Sequence, residues 1–211
     1  RQYRLTRRCL KVLLECNLKS LMVHTRSHLL LDDLDLLTQF GDTLRVGFSV
    51  PTDDDRVRKK LEPKAPKIEV RLQTMRKLRE AGIFVNASLA PVLYCHSERF
   101  VRLLQDAADG VYFGKMDYLE KTYLKGMGRA KAYFRSADYG SLVEKLKACL
   151  EEAGLKIGRI ESFKNGKAVS DPLERDTTPI WGCTFDKTKV DALMLNDGLS
   201  FGLEDEGIWV Y

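Results

Sequence analysis

The 211-residue chain is 44% hydrophobic and 31% charged, which allows a real core and argues against a disordered chain. No apolar run approaches the roughly 18 residues of a membrane span. Five scattered cysteines (Cys9, Cys16, Cys95, Cys149, Cys183) without a CxxC pair fit a reducing, cytoplasmic setting better than a disulfide framework, and the net charge of +5 is compatible with a phosphate or nucleic-acid partner.

In chain order, Leu5, Cys9, Val12, Leu13 and Cys16 recur at helical spacing over residues 3–16. Leu18 to Thr25 reads as a strand, Asp32 to Phe40 as part of a helix ended by Gly41, and Leu44 to Val50 as a second strand. Thr52 followed by Asp53, Asp54 and Asp55 reads as a helix start, a capping hydroxyl with carboxylates at the positive end of the dipole. Glu62-Pro63 and Ala65-Pro66 break that helix. The next helix, Ile68 to Ala81, carries the stripe Leu72, Met75, Leu78 and Ala81 with Arg71, Lys77 and Arg79 around it, and Gly82 closes it. Ile83 to Ala90 is a third strand, Phe100 to Ala108 a helix, and Gly110 to Phe113 a short fourth strand.

This rhythm predicts an α/β chain, a partial (β/α) barrel of parallel strands with a small C-terminal α+β extension. The expected division is 1–118 for the partial barrel, 119–156 for a helical segment and 157–211 for a loop-rich extension. An opening helix implies a strand before it, so the chain reads as the middle and end of a larger sheet. Beyond Gly114, Tyr118, Tyr123, Tyr133, Phe134 and Tyr139 alternate with Lys115, Lys121, Lys125, Arg129, Lys131 and Arg135, a mixture that suits either base stacking or coverage of a core edge. Ser141 to Ala153 is an amphipathic helix closed by Gly154. Asp171-Pro172, Thr178-Pro179 and Asn196-Asp197-Gly198 mark turns in the last stretch, where Ile180 to Phe185 and Gly207 to Tyr211 could pair as edge strands.

Cys9 and Cys16 lie seven residues apart, about 10 Å along a helix at about 1.5 Å per residue, too far to share one iron. They read as small buried hydrophobes. Cys95 beside His96 is the one suggestive thiol–imidazole pair, and a reactive role there needs a setting that lowers the thiol pKa.

An ordered set of short motifs carries more. Thr25-Arg26-Ser27 is followed by Asp33-Leu34-Asp35-Leu36-Leu37, Gly47-Phe48-Ser49, Leu61-Glu62-Pro63, Ala65-Pro66 and Arg71-Leu72. Glu80-Ala81-Gly82-Ile83, Ala90-Pro91-Val92 and Gly114-Lys115 with Tyr118 complete the series. In order and spacing these resemble radical S-adenosylmethionine (SAM) enzymes of the spore photoproduct lyase-like branch, over about Tyr3 to Tyr118. The resemblance implies SAM across the carboxyl ends of the strands, bound to a [4Fe–4S] cluster and reductively cleaved to abstract hydrogen from a substrate such as a nucleic-acid lesion. It implies an electron donor as partner. Arg26 would pair with the SAM carboxylate where the branch usually has lysine, Ser49 would bond its polar groups, and Ser27 would do similar work or simply cap the following helix. Ala90 would let backbone approach the adenine, and Tyr118 would stand near the substrate or hydrogen-atom path.

The chain departs from that pattern in three places: His28 replaces an acidic residue, Asp32 an arginine, and Leu93-Tyr94-Cys95-His96 a Pro-Gly-rich turn. The CxxxCxxC cluster motif is absent, so the resemblance implies cluster ligands outside this chain and no metal ligand within it. The alternative is a non-catalytic nucleic-acid-binding or scaffold domain of the same fold, with residues 112–139 as its contact surface. An ordinary barrel enzyme for a phosphorylated metabolite is disfavoured, because there is neither a Gly-rich phosphate loop nor a pair of carboxylates at strand ends.

Overall fold

The computed structural model describes residues 4–16, 18–114 and 132–159. An opening helix, α1 (Leu5–Leu14), precedes strand β1 (Leu21–Thr25); a 3₁₀ turn (His28–Asp33), the single-turn α2 (Leu34–Leu37) and a second 3₁₀ turn (Thr38–Thr43) lead to β2 (Leu44–Ser49). Helices α3 (Asp55–Leu61) and α4 (Ile68–Glu80) precede β3 (Phe84–Leu89); α5 (Ser97–Ala107) precedes β4 (Gly110–Phe113), and α6 (Ala137–Glu152) precedes β5 (Lys156–Arg159).

The five strands form one parallel sheet in the order β1-β2-β3-β4-β5. The chain is therefore mixed α/β, as its alternating pattern predicts. When strands are added in one direction, crossovers of one hand return every helix to the same face. Accordingly α4 packs beside α5, and α5 beside α6.

Strand alternation splits the sheet into two faces. On the helix side, Val46, Phe48, Val85, Ala87, Leu89, Val111 and Phe113 share one buried cluster with Leu72, Met75 and Leu78 of α4, Phe100 and Leu104 of α5, and Leu146 and Leu150 of α6. The other face carries the intervening residues, and His24, Ser49, Asn86, Ser88 and Tyr112 stand outside that cluster. Helix α5 shows why these segments form as they do: Phe100, Val101, Leu104 and Ala107 recur every three or four residues, all buried, with Glu98 in the first turn.

Several boundaries differ from the sequence reading, each for a physical reason. The first strand begins at Leu21, because the chain first turns at Leu18, whose N–H donates to the Cys16 carbonyl. The helix expected over 32–40 shrinks to one α-turn between 3₁₀ turns, and Gly41, at a φ of 52°, kinks the second of these. Thr52 is not the cap of α3. Its hydroxyl donates to the Tyr94 carbonyl at 2.6 Å and accepts from the Asp54 N–H at 3.1 Å, while Asp54 caps α3 by accepting from the Arg56 N–H at 2.7 Å. The strand β5 arises where the sequence shows only the approach to a loop-rich tail. Ala81 lies at the helix end and is only half-buried, so it is not part of the core stripe.

Candidate functional site

The carboxyl ends of the strands gather most of the residues singled out from sequence. Ser49 ends β2 opposite Ser88 of β3, and the pairing of Thr25 with Phe48 sets Arg26 beside Ser49. Ala90 follows β3 and precedes a cis Ala90–Pro91 peptide. Backbone hydrogen bonds tie this edge together: the Val50 N–H donates to the Ser88 carbonyl at 3.0 Å, Leu93 to Pro51 at 2.8 Å, and Val92 to Gly114 at 3.0 Å. Arg26, Ser49 and Ala90 thus share one edge of the sheet. Ser27 sits beside them but spends its oxygen locally, accepting from the Leu29 N–H at 3.2 Å to cap the 3₁₀ turn. Tyr118 lies outside the described residues.

An ion-pair relay underlies that edge. The Arg26 guanidinium, half-exposed, pairs with Glu62 Oε1, and Glu62 Oε2 accepts from Arg71 Nη2 at 2.8 Å. Arg71 is fully buried; its Nη1 donates to the Ser49 carbonyl at 2.9 Å and its Nε to the Pro66 carbonyl at 3.0 Å. This corrects the sequence reading, which set Arg71 among the cations around an apolar stripe. Burial is the main cause lowering the Arg71 pKa, and the Glu62 charge opposes it. The group stays charged, as guanidinium does in proteins. Its planar fork reaches three acceptors at once, which a lysine cannot do.

The relay was missed because a lone Arg on a charged helix looks solvated. The available signal was Glu62 fixed beside Pro63 and followed by Pro66, a rigid corner from which a carboxylate cannot swing away. One Arg26 donor atom meets Glu62, leaving others on the guanidinium to meet a ligand carboxylate bidentately.

The three consecutive carboxylates serve three different helices. Asp53 accepts from the His96 N–H at 3.1 Å and from Arg99 Nε at 2.6 Å, at the start of α5. Asp54 caps α3, and Asp55 accepts from the Ile68 N–H at 3.1 Å, at the start of α4, as well as from Arg58 Nε at 2.7 Å. They are structural groups. Among the described residues no set of three His, Cys, Asp or Glu is placed to hold a metal ion.

The Cys95–His96 pair carries no reactive thiol. Cys95 is buried, and desolvation, with the Asp53 charge adding, pushes its pKa up to about 12. Such a thiol stays protonated at neutral pH. The described cysteines, Cys9, Cys16, Cys95 and Cys149, form no disulfide, and only Cys9 and Cys16 stand near one another in the chain, on and just after α1. They do not fit an iron–sulfur cluster. The donors at the strand ends, by contrast, suit the carboxylate and hydroxyl groups of a small ligand.

His24 keeps an exposed surface on the polar face, yet protein crowds the ring. Desolvation first, and the Arg26 charge second, lower its pKa from the ordinary 6.5. Of the aromatic residues that suit either base stacking or coverage of a core edge, Phe134 and Tyr139 do the second. Their rings meet at 5.1 Å, and the Tyr139 hydroxyl donates to the Val92 carbonyl at 3.0 Å. Tyr133 packs edge-on against both and against Tyr94. Tyr123 and the basic residues Lys115 to Lys131 lie outside the described residues.

A groove of about 570 Å³ opens at the opposite end of β3, lined by Asp42, Arg76, Arg79, Glu80, Asp106 and Asp109 among others. Its four central charges are spent on one another: Arg76 pairs with Asp106 and Arg79 with Asp109, clamping α4 to the end of α5.

No family model matches the chain. A 90-residue stretch, 43% of the chain, is 34% identical to the uncharacterized protein ORF301 of Acidianus two-tailed virus. The match covers 30% of that protein, so the chain spans under a third of its viral relative's length. Among the described residues no helix is long and apolar enough to cross a membrane.

Proposed function

We propose that this chain is a portion of a radical SAM enzyme of the spore photoproduct lyase-like branch, its sheet an arc of a (β/α) barrel. The observation that carries the reading is the meeting of Arg26, Ser49 and Ala90 at one edge of adjacent parallel strands, over the Glu62–Arg71 relay. Strands in sequential order are what a barrel arc requires. When bound, SAM and its [4Fe–4S] cluster would supply reductive cleavage and a hydrogen-abstracting radical.

The chain's own residues do the holding. Arg26 binds the SAM carboxylate, with Glu62 fixing its guanidinium at the strand end. Ser49 bonds a ribose hydroxyl or the amino acid moiety, and the backbone at Ala90 admits the adenine. Cluster ligands lie outside the described residues, and an electron donor completes the system. A nucleic-acid lesion as substrate, and Tyr118 beside the hydrogen-atom path, rest on the resemblance. The alternative, a cluster-free nucleic-acid-binding domain, draws less support because Phe134 and Tyr139 are occupied in the core edge.

The test uses the natural protein purified without oxygen. About four irons per chain, SAM binding, and 5′-deoxyadenosine released on reduction are expected, with SAM affinity lost in Arg26→Ala. A protein that takes up no iron on reconstitution and cleaves no SAM would overturn the reading.

A further inference from the structure

The face of the sheet turned from the helices carries a buried polar row. Ser49, Ser88 and Tyr112 are register partners on β2, β3 and β4, and Asn86 lies one step toward the amino ends. Their exposures are 6%, 2%, 8% and 6%, so all four are enclosed. The Tyr112 hydroxyl is buried without a hydrogen-bond partner. An unpaired buried hydroxyl is costly to keep, and native structures retain few without a reason.

Two glycines shape this floor. A Cβ on Gly110 would stand 2.7 Å from Asn86 Oδ1, and one on Gly47 2.6 Å from His24 Cδ2. Both polar side chains therefore lie down over a glycine, in room that any Cβ would take from them. The row from Ser49 to Tyr112 crosses two strand spacings, roughly 10 Å, the width of a small molecule. Charge on this face is one-sided. Arg45, stacked 4.7 Å from the Phe84 ring, and Lys156 flank the row, and the strand positions facing this way include no carboxylate. Burial lifts the Tyr112 pKa to about 12, against the Arg45 charge, so the phenol remains a donor at neutral pH.

We propose that this floor binds a small molecule bearing a phosphate or carboxylate group, whose oxygen accepts a hydrogen bond from Tyr112 while Asn86 and Ser88 contact the same ligand. The row adjoins the edge that holds Arg26 and Ser49; only the identification of this ligand as the substrate rests on the SAM reading. Enclosure at this depth favours a small molecule over a nucleic-acid duplex. The sequence signal was available: polar residues at every second position of otherwise apolar strands.

Ring-labelled tyrosine NMR on the chain tests the proposal, with inorganic phosphate and acetate titrated in separate arms to distinguish the two anions. The Tyr112 signal should shift saturably with at least one of them. Tyr112→Phe, which removes only an unpartnered hydroxyl and should fold, should weaken that binding about tenfold or more, and Asn86→Ala should weaken it as well. A Tyr112 signal unmoved by both anions, or an unchanged affinity in Tyr112→Phe, would overturn the proposal. SAM titration of the natural protein separates the two readings: failure to bind SAM with an intact Tyr112 response sinks the SAM reading alone, and the converse sinks this one alone.

Discussion

Replacing Arg71 with methionine should remove a large part of the chain's stability. The guanidinium is fully buried and donates to the Ser49 carbonyl, the Pro66 carbonyl and Glu62, at 2.8 to 3.0 Å. Methionine fills much of the volume but takes this donor from two carbonyls and leaves the Glu62 carboxylate, itself 14% exposed, with Arg26 alone. Removing one partner of a buried pair costs about 3–5 kcal/mol, against about 5–15 kcal/mol for a whole domain. Arg71→Lys keeps the charge but not the fork, so it should lose most of the three bonds and cost about 2–3 kcal/mol. Urea unfolding followed by circular dichroism gives both values. Glu62→Gln supplies the control: combined with Arg71→Met it should cost less than the sum of the single changes, because the two groups share one interaction. An Arg71→Met midpoint corresponding to less than about 1 kcal/mol, at unchanged denaturant slope, would refute the relay as a structural element.

Two further outcomes follow from local geometry. Arg56, through its side chain first and its backbone N–H second, holds the Asp54 carboxyl at about 2, below its ordinary 3.8. A depressed folded pKa means stabilisation that is complete above the unfolded value and lost as pH falls from about 4 to about 2. Asp54→Asn keeps a capping oxygen, so its urea midpoint should lose less across that window than the wild type, and parallel pH profiles would contradict the assignment. Gly140 lies within α6, where an added Cβ meets nothing within 4 Å. Gly140→Ala should therefore stabilise the chain by about 0.5–1 kcal/mol, and a lowered midpoint would show that the space is not open.

The parts legible in sequence were those where a single local rule decides. Gly110 to Phe113 is a strand as expected because four apolar-compatible residues follow a helix end and Asp109, whose carboxylate accepts from the Val85 N–H at 2.8 Å. Gly82 closes α4 as expected because its φ of 80° suits glycine. Readings failed where partners are distant. Arg71 meets its acceptors across as many as 22 residues, and the Thr52 hydroxyl donates to the carbonyl of Tyr94, 42 residues away. Nothing local separates such groups from ordinary surface polars. The fifth strand was missed for a related reason: Lys156 to Arg159 is short and gains its conformation from pairing with β4. Arg26 and Ser49 were brought to one edge by strand register, which motif order anticipates but does not dictate.

The loop after β2 has a consequence beyond capping. Asp53, Asp54 and Asp55 hold the starts of α5, α3 and α4, three helices from two successive crossovers, with no spare residue between anchors. One inserted residue would put all three anchors out of phase together. Descendants of this chain can therefore vary the polar row of the sheet side chain by side chain, whereas the hinge of backbone at 53–55 is frozen in length. Diversity of ligand should accumulate on the floor, and constancy in this corner of the wall.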